Sequence, residues 1–319
     1  MKTVVMERNT LGDDVSLEEW NRFGEVVCYP LSDPDRNRER IQDADVLIVN
    51  KIKMNRELLE GAKSVKLICL TATGTNNVDF DYTNARGITV CNVKGYSTES
   101  VVQHTFSLLF YLYEKMNYYD TFVKSGNYAA SDIFSHFTVP FHELHGKTWG
   151  IIGLGAIGTR VGELAEMFGC RVLYYSTSGA HHTDRFPEVS LHELLRQSDV
   201  ISIHCPLTKT TERLIGAAEL AKMKREAILL NLGRGPIIDE AALAEALAAD
   251  AIGGAGLDVL CEEPMNPNNP LLAIKDSGKL VITPHIAWAT VEARKRCVDE
   301  VTANIESWLR GEQRNVVTK

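Results

Sequence analysis

The chain has 319 residues, 45% of them hydrophobic and 24% charged, with a formal net charge of -8. That length and composition fit an ordinary soluble globular protein of about two domains with a sizeable core. The acidic balance gives no electrostatic footprint for a polyanion, so nucleic acid is not an expected partner, and a small anionic substrate needs a local basic pocket.

The N-terminal run MKTVVMERNT lacks the long apolar stretch of a signal peptide, and no export is expected. Short β-rich runs follow near residues 3–6, 26–29, 46–49, 67–70 and 88–91, alternating with helical or loop segments. They predict a smaller α/β unit. Lys51, just past the third run, is placed to add charge to a substrate pocket, although a solvated lysine there is the commoner case. Residues 97–123 open on a serine suited to capping and continue apolar-rich, which predicts one long helix leaving the first unit for the second. Within it Val101, Thr105, Leu108 and Leu109 recur at helical spacing as core or subunit contact, whereas Gln103 and His104 acquire no role. The same stretch is too short and too polar to span a bilayer, so no membrane partner is expected.

From residue 148 the alternation strengthens: runs at 148–152, 171–175, 200–204, 227–232, 254–259 and 280–283 predict the six parallel strands of a full dinucleotide-binding sheet. Asp239 followed by EAALAEALAA predicts a helix with Leu243 and Leu247 on one face. A last helix, near residues 289–310, has no strand left to cover and is expected to return to the N-terminal unit. The expected organisation is therefore α/β throughout. A discontinuous flavodoxin-like substrate domain spans residues 1–97 and 288–319, and a Rossmann-type doubly wound parallel sheet spans 98–287. The seven cysteines, at 28, 69, 91, 170, 205, 261 and 297, form no C-x-x-C, which points to reduced thiols, a cytoplasmic location and no metal.

The run Trp149-GIIGLGAIG-Thr159 sets G-x-G-x-x-G at Gly153, Gly155 and Gly158, between an apolar strand and a helix. Glycines at this spacing are a weak signal by themselves, and their context strengthens it. Gly153 makes the tight turn, Gly155 leaves room for a pyrophosphate, and Gly158 lets helix and strand pack closely. The helix N-terminus offers phosphates free N–H groups and a positive dipole end. An acid usually follows about 20 residues later to bind the ribose 2′-hydroxyl. Here Ser176 stands in that place, with no acid to repel a 2′-phosphate and no Arg or Lys in residues 176–182 to attract one. NAD(H) is the favoured cofactor and NADP(H) is also admitted. His181 and His182 lie in the same loop, where solvated histidines are commoner than phosphate ligands.

Three further segments carry polar groups where strands end, the ligand-binding edge of an open α/β sheet. In Leu230-NLGRGPIID, Arg234 lies between two glycines, fitted to grip a carboxylate and polarise a carbonyl oxygen. Gly256-LDVLCEEP brings Asp258, Glu262 and Glu263, and Thr283-PHIAWAT brings His285. Carbonyl reduction needs a proton delivered to oxygen as hydride reaches carbon, and an imidazole supported by a carboxylate suits that task. Each of these residues alone has a plain structural reading; together, beside a dinucleotide loop, they suggest a catalytic site.

The motifs GLGAIG, NLGRG, GLDVLCEEP and TPHIAWAT stand in the order of the D-isomer-specific 2-hydroxy acid dehydrogenase family, which this chain resembles over nearly its whole length. Within it the glycerate dehydrogenase (hydroxypyruvate reductase) branch is the most similar, through Leu70-TATGTNNVD, Gly95-YSTESVVQHTF and Ala287-WAT. The resemblance implies Arg234, Glu263 and His285 as catalytic residues, Asp258 near the nicotinamide, and Ala156 and Ile157 on the phosphate loop. Pro206, Thr211, Leu232, Gly233 and Ala287 complete the expected cofactor contacts. Thr73, Gly74 and Thr75 resemble a loop whose N–H groups hold the substrate carboxylate, with Lys51 beside it. Homodimers through the nucleotide domain are implied as well. Glu263, where related formate dehydrogenases have glutamine, implies an alcohol substrate. The expected reaction joins a small 2-keto acid to its D-2-hydroxy acid, hydroxypyruvate and glyoxylate to glycerate and glycolate. Phosphoglycerate oxidation is the alternative, and a dinucleotide-sensing corepressor-like regulator a more distant one.

Overall fold

Val46–Val49 and Leu67–Leu70 are buried at every position, the pattern of parallel strands covered on both faces. A computed structural model describes residues 1–317 and builds two such sheets. Their strands are β1 Lys2–Val5, β2 Glu25–Cys28, β3 Val46–Val49, β4 Leu67–Leu70, β5 Thr89–Cys91, β6 Thr148–Ile152, β7 Arg171–Tyr175, β8 Val200–Ile203, β9 Ile228–Asn231, β10 Gly254–Leu257 and β11 Leu280–Ile282. The helices are α1 Asn37–Ile41, α2 Arg56–Leu59, α3 Phe80–Ala85, α4 Thr98–Tyr113, α5 Met116–Lys124, α6 Ala156–Met167, α7 Leu191–Gln197, α8 Ala217–Leu220, α9 Glu240–Ala248 and α10 Val291–Leu309. The chain divides into two units, Met1–Ser97 with the chain from Trp288 onward, and Thr98–Ala287. Among the described residues no helix is long and apolar enough to cross a membrane.

In the first unit the strands run parallel in the order β2-β1-β3-β4-β5, the flavodoxin-like arrangement. Alternation along β3 splits its core in two. Val46 and Ile48 pack with Trp20 and with Ala293, Cys297, Val301 and Ile305 of α10, while Leu47 and Val49 pack with Ile41, Leu59 and Phe80 of α1–α3. The four α10 residues recur every fourth position, one face of a helix. The terminal helix therefore belongs to this unit, and Thr290 caps its start by accepting from the Ala293 N–H.

The second unit orders its parallel strands β7-β6-β8-β9-β10-β11, a Rossmann-type sheet whose second strand lies at the edge. The direction of strand addition reverses at β6, so the crevice at the carboxyl ends opens beside the turn from β6 into α6. Helix α4 crosses this sheet over β9, β10 and β11. A Cβ at Gly256 would lie 2.9 Å from Leu230 and 3.1 Å from Leu108, so the glycine lets the helix seat directly on β10.

The single helix expected over residues 97–123 is two helices. Lys115 breaks it with a left-handed backbone, φ 55. The reason is burial: α4 buries Val101, Val102, Thr105, Phe106, Leu108, Leu109 and Leu112, whereas α5 buries no residue. Packing against the sheet ends at Tyr113, and neither glycine nor proline announces the break.

Candidate active site

The glycine loop connects β6 to α6. Gly153 takes φ 94, and a Cβ there would lie 2.6 Å from the Cys205 backbone nitrogen. A Cβ at Gly158 would meet the Gly153 carbonyl at 2.2 Å, which explains the close passage of helix over strand. Gly155 differs from both. It sits at the N-cap without a side-chain cap, and a Cβ there would meet nothing within 4 Å. The N–H groups of Ala156, Ile157 and Gly158 find no acceptor among the described residues. Open space above unpaired, aligned N–H groups has the form that suits an anion.

Around that loop, Ser176 follows β7 and accepts from the Gly179 N–H at 3.1 Å, closing a turn. His182 is tied to Glu188 at 2.9 Å and to the Gly179 carbonyl at 2.7 Å, and the Glu188 carboxylate raises its pKa above the ordinary histidine value. Thr211 is buried and donates to the Pro206 carbonyl at 2.7 Å, so its hydroxyl shapes the loop after β8. Leu232 and Gly233 follow the end of β9, and a Cβ at Gly233 would press on the Cys205 carbonyl at 2.9 Å.

Arg234, Asp258 and His285 follow three adjacent strands, β9, β10 and β11, at their carboxyl ends. Arg234 is exposed, and its Nη1 donates to the Gly233 carbonyl at 2.8 Å. A guanidinium carries five N–H donors, far more than that one bond uses. Gly235 beside it is obligatory, since a Cβ would fall 1.9 Å from the Leu260 carbonyl carbon. Glu263 accepts from the Leu260 N–H at 3.0 Å through Oε1, and its Oε2 lies 2.6 Å from His285 Nδ1. A carboxylate only accepts, so Nδ1 carries the hydrogen and Nε2 is left available to accept or give a proton. His285 takes φ 55, a conformation costly for a side chain of its size and typical of functional positions. Asp258, 2% exposed, accepts from the N–H groups of Ile286 and Ala287, both at 2.9 Å.

The expected substrate residues lie in the first unit. The backbone N–H of Lys51 donates to the Glu7 carboxylate at 2.9 Å, and its side chain is solvent-exposed. Thr73 donates to the Val93 carbonyl at 2.7 Å, and the N–H groups of Thr73, Gly74 and Thr75 find no acceptor among the described residues. Asn77 donates to the carbonyls of Asn50 and Ile52, which joins the loops after β3 and β4.

Two features escaped the sequence reading. Glu7 is one, a buried carboxylate without any motif to mark it. The other is His204, just past β8. Both its ring nitrogens are buried and unpaired among the described residues, and burial pushes its pKa down to about 3. The alternating pattern of a strand end offered a signal, a polar residue closing an apolar run, but nothing in it gave the direction of the ring.

The profile of the D-isomer specific 2-hydroxyacid dehydrogenase family, NAD binding domain, matches residues 106–287. The chain is 39% identical to the glycerate dehydrogenase of Methylorubrum extorquens, across 99% of this chain and 98% of that one. It is 38% identical to the hydroxypyruvate reductase of Blautia hydrogenotrophica, across 100% of both. Its fold matches the Aquifex aeolicus D-lactate dehydrogenase complexed with NAD and lactic acid at a TM-score of 0.86 and 27% identity, covering 100% of this chain and 99% of that one. An open anion cradle, a carboxylate-held histidine and these full-length likenesses lead to one conclusion: the chain belongs to the D-isomer specific 2-hydroxyacid dehydrogenases, oxidoreductases of CH–OH groups.

Proposed function

We propose that the chain reduces small 2-keto acids, hydroxypyruvate and glyoxylate first, to D-glycerate and glycolate, and reverses the reaction. The observation that carries the reading is the His285 Nδ1 to Glu263 Oε2 pair at 2.6 Å, one strand end away from Asp258 and two from Arg234. The relatives named glycerate dehydrogenase and hydroxypyruvate reductase support the substrate class.

The cradle fits a dinucleotide. Gly155 leaves the volume a pyrophosphate needs, α6 presents the N–H groups, and His204 holds two buried nitrogens that lack partners. When bound, the nicotinamide supplies the hydride that C2 of the keto acid takes up. Arg234 holds the substrate's carboxylate and draws electron density toward its carbonyl oxygen. His285 Nε2 gives its proton to that oxygen, and Glu263 stabilises the imidazolium before the transfer and fixes the ring afterwards. In the oxidative direction the neutral ring takes the hydroxyl proton. Lys51, Thr73, Gly74 and Thr75 are further carboxylate-binding candidates. Ser176 neither repels nor attracts a 2′-phosphate, so NAD(H) is favoured and NADP(H) accepted.

We assign a homodimer formed through the second unit. The segment from α5 to residue 141 is ordered by a His136 ring stacked on Phe122 at 3.7 Å, yet Phe134 is 91% and Phe137 73% exposed. An ordered apolar arm of this kind suits a second copy. Free thiols at all seven cysteines fit a reducing, cytoplasmic setting.

The test measures NADH and NADPH oxidation with hydroxypyruvate, glyoxylate, pyruvate, phenylpyruvate and 3-phosphohydroxypyruvate, for the wild type and for His285→Ala. Turnover abolished in the variant with unchanged NADH binding is expected. Retained turnover refutes the role of His285. A preference for the phosphorylated substrate favours the phosphoglycerate reading, and inactivity on all five favours a regulator.

A further inference from the structure

Helix α4 carries two residues one turn apart that reach the segment bearing His285. The Ser100 hydroxyl donates to the Ala287 carbonyl at 2.5 Å, and His104 Nε2 lies 2.9 Å from the Thr283 hydroxyl. Positions i and i+4 share a helix face, so both arise from the same side of α4. Thr283 in turn donates its one hydroxyl hydrogen to Asp258 Oδ1 at 2.6 Å. It must therefore accept from His104, which requires that Nε2 carry the proton. Burial lowers the His104 pKa, only partly opposed by the Asp258 charge, and the ring stays neutral at neutral pH. Asp258 passes the grip onward, since its two oxygens receive the Ile286 and Ala287 N–H groups. The His285 N–H itself donates to the Asp258 carbonyl at 2.9 Å.

Both ends of the five residues from Thr283 to Ala287 are thus held from α4, and His285 stands between them at φ 55. A residue persists in that conformation only where its surroundings over-determine it. We propose that His104 and Thr283 are positioning residues, a hydrogen-bonded relay that runs from α4 through Asp258 to the backbone of His285 and sets the aim of its imidazole. The proposal rests on His285 as the acid–base group. It gives His104 a role that helical periodicity could not, while Gln103 beside it faces solvent.

Thr283→Val keeps the side-chain shape without the hydroxyl, and His104→Leu removes the donor. Each is expected to lower kcat for hydroxypyruvate at least about tenfold while KM and the NADH Kd stay within about threefold. Thr283→Ser and His104→Gln, which keep a bonding atom in reach, should recover most of kcat. Full kcat in Thr283→Val and His104→Leu overturns the proposal, as does a loss that the rescuing variants share in step with melting temperature. A readout independent of activity is nitrogen NMR of the imidazoles. It should show His104 protonated at Nε2, and a His285 resonance moved by Thr283→Val and unmoved by Thr283→Ser. A His285 signal unchanged by Thr283→Val sinks the relay. If the NMR result holds and no 2-keto acid is turned over, the relay stands and the catalytic reading fails.

Discussion

The two sheets reverse their direction of strand addition in the same way, at β1 between β2 and β3 and at β6 between β7 and β8. Each reversal leaves a crevice at the carboxyl ends with backbone N–H groups around it. In the first unit the protein fills that crevice itself. The Glu7 carboxylate, 8% exposed, accepts the N–H groups of Asn50, Lys51 and Ile52 at 2.7, 2.9 and 3.2 Å. In the second, Gly155 leaves space and the N–H groups of Ala156, Ile157 and Gly158 lack acceptors among the described residues. Topology provides an anion site in both places. The residues just after the central strand decide whether a side chain fills it or it stays open.

Several substitutions break or sharpen that contrast. The largest effect is expected for Gly158→Val, whose side chain collides with the Gly153 backbone; a loss of about 3 kcal/mol should appear in thermal melting. Gly155→Val at the open position should leave the melting temperature alone and raise the NADH Kd about 100-fold, near 2.7 kcal/mol. Equal effects at the two glycines would mean that the loop is only a turn. Glu7→Gln removes the charge facing three N–H groups and replaces one of two acceptor oxygens with a donor, and should cost about 2 kcal/mol of stability with NADH affinity unchanged. A parallel loss of NADH affinity would show that the filled crevice also serves the cofactor.

His204 gives a pH prediction at the open crevice. Its folded pKa of about 3 lies below the ordinary 6.5, so the unfolded chain takes up the proton first. Its contribution is complete above pH 6.5 and is lost as pH falls toward 3, by up to about 1.4 kcal/mol per unit. Melting of His204→Leu between pH 7 and about 4.5 should show a flatter acid limb than the wild type. Ser176→Asp is the smallest change, expected to raise the NADPH KM about tenfold relative to NADH. No shift in that ratio would place 2′-phosphate discrimination elsewhere.

Strand positions were legible because runs such as VLIV and LICL have one reading in a parallel sheet, and all eleven expected runs hold strands. The glycine loop was legible because its spacing encodes geometry: Gly153 and Gly158 meet backbone atoms that a side chain would strike. The break at Lys115 was not, since α4 and α5 share helix-forming residues and only burial tells them apart. Glu7, His104 and His204 were illegible for a related reason. Glu7 bonds Asn50 and His104 bonds Thr283, both distant in sequence, while His204 is set apart only by its burial, and no spacing records any of these.

By itself the sequence determined the two α/β units and the turn that leaves the cradle open, and it named His285, Glu263 and Arg234 as the catalytic candidates. These follow from local rules, the period of apolar residues and the conformational freedom of glycine. Only the tertiary structure decided that one crevice is filled and the other open, which nitrogen of His285 meets Glu263, and that α4 holds the segment carrying it. Those depend on hydrogen bonds between residues up to 187 positions apart, whose directions are set when the sheets pack.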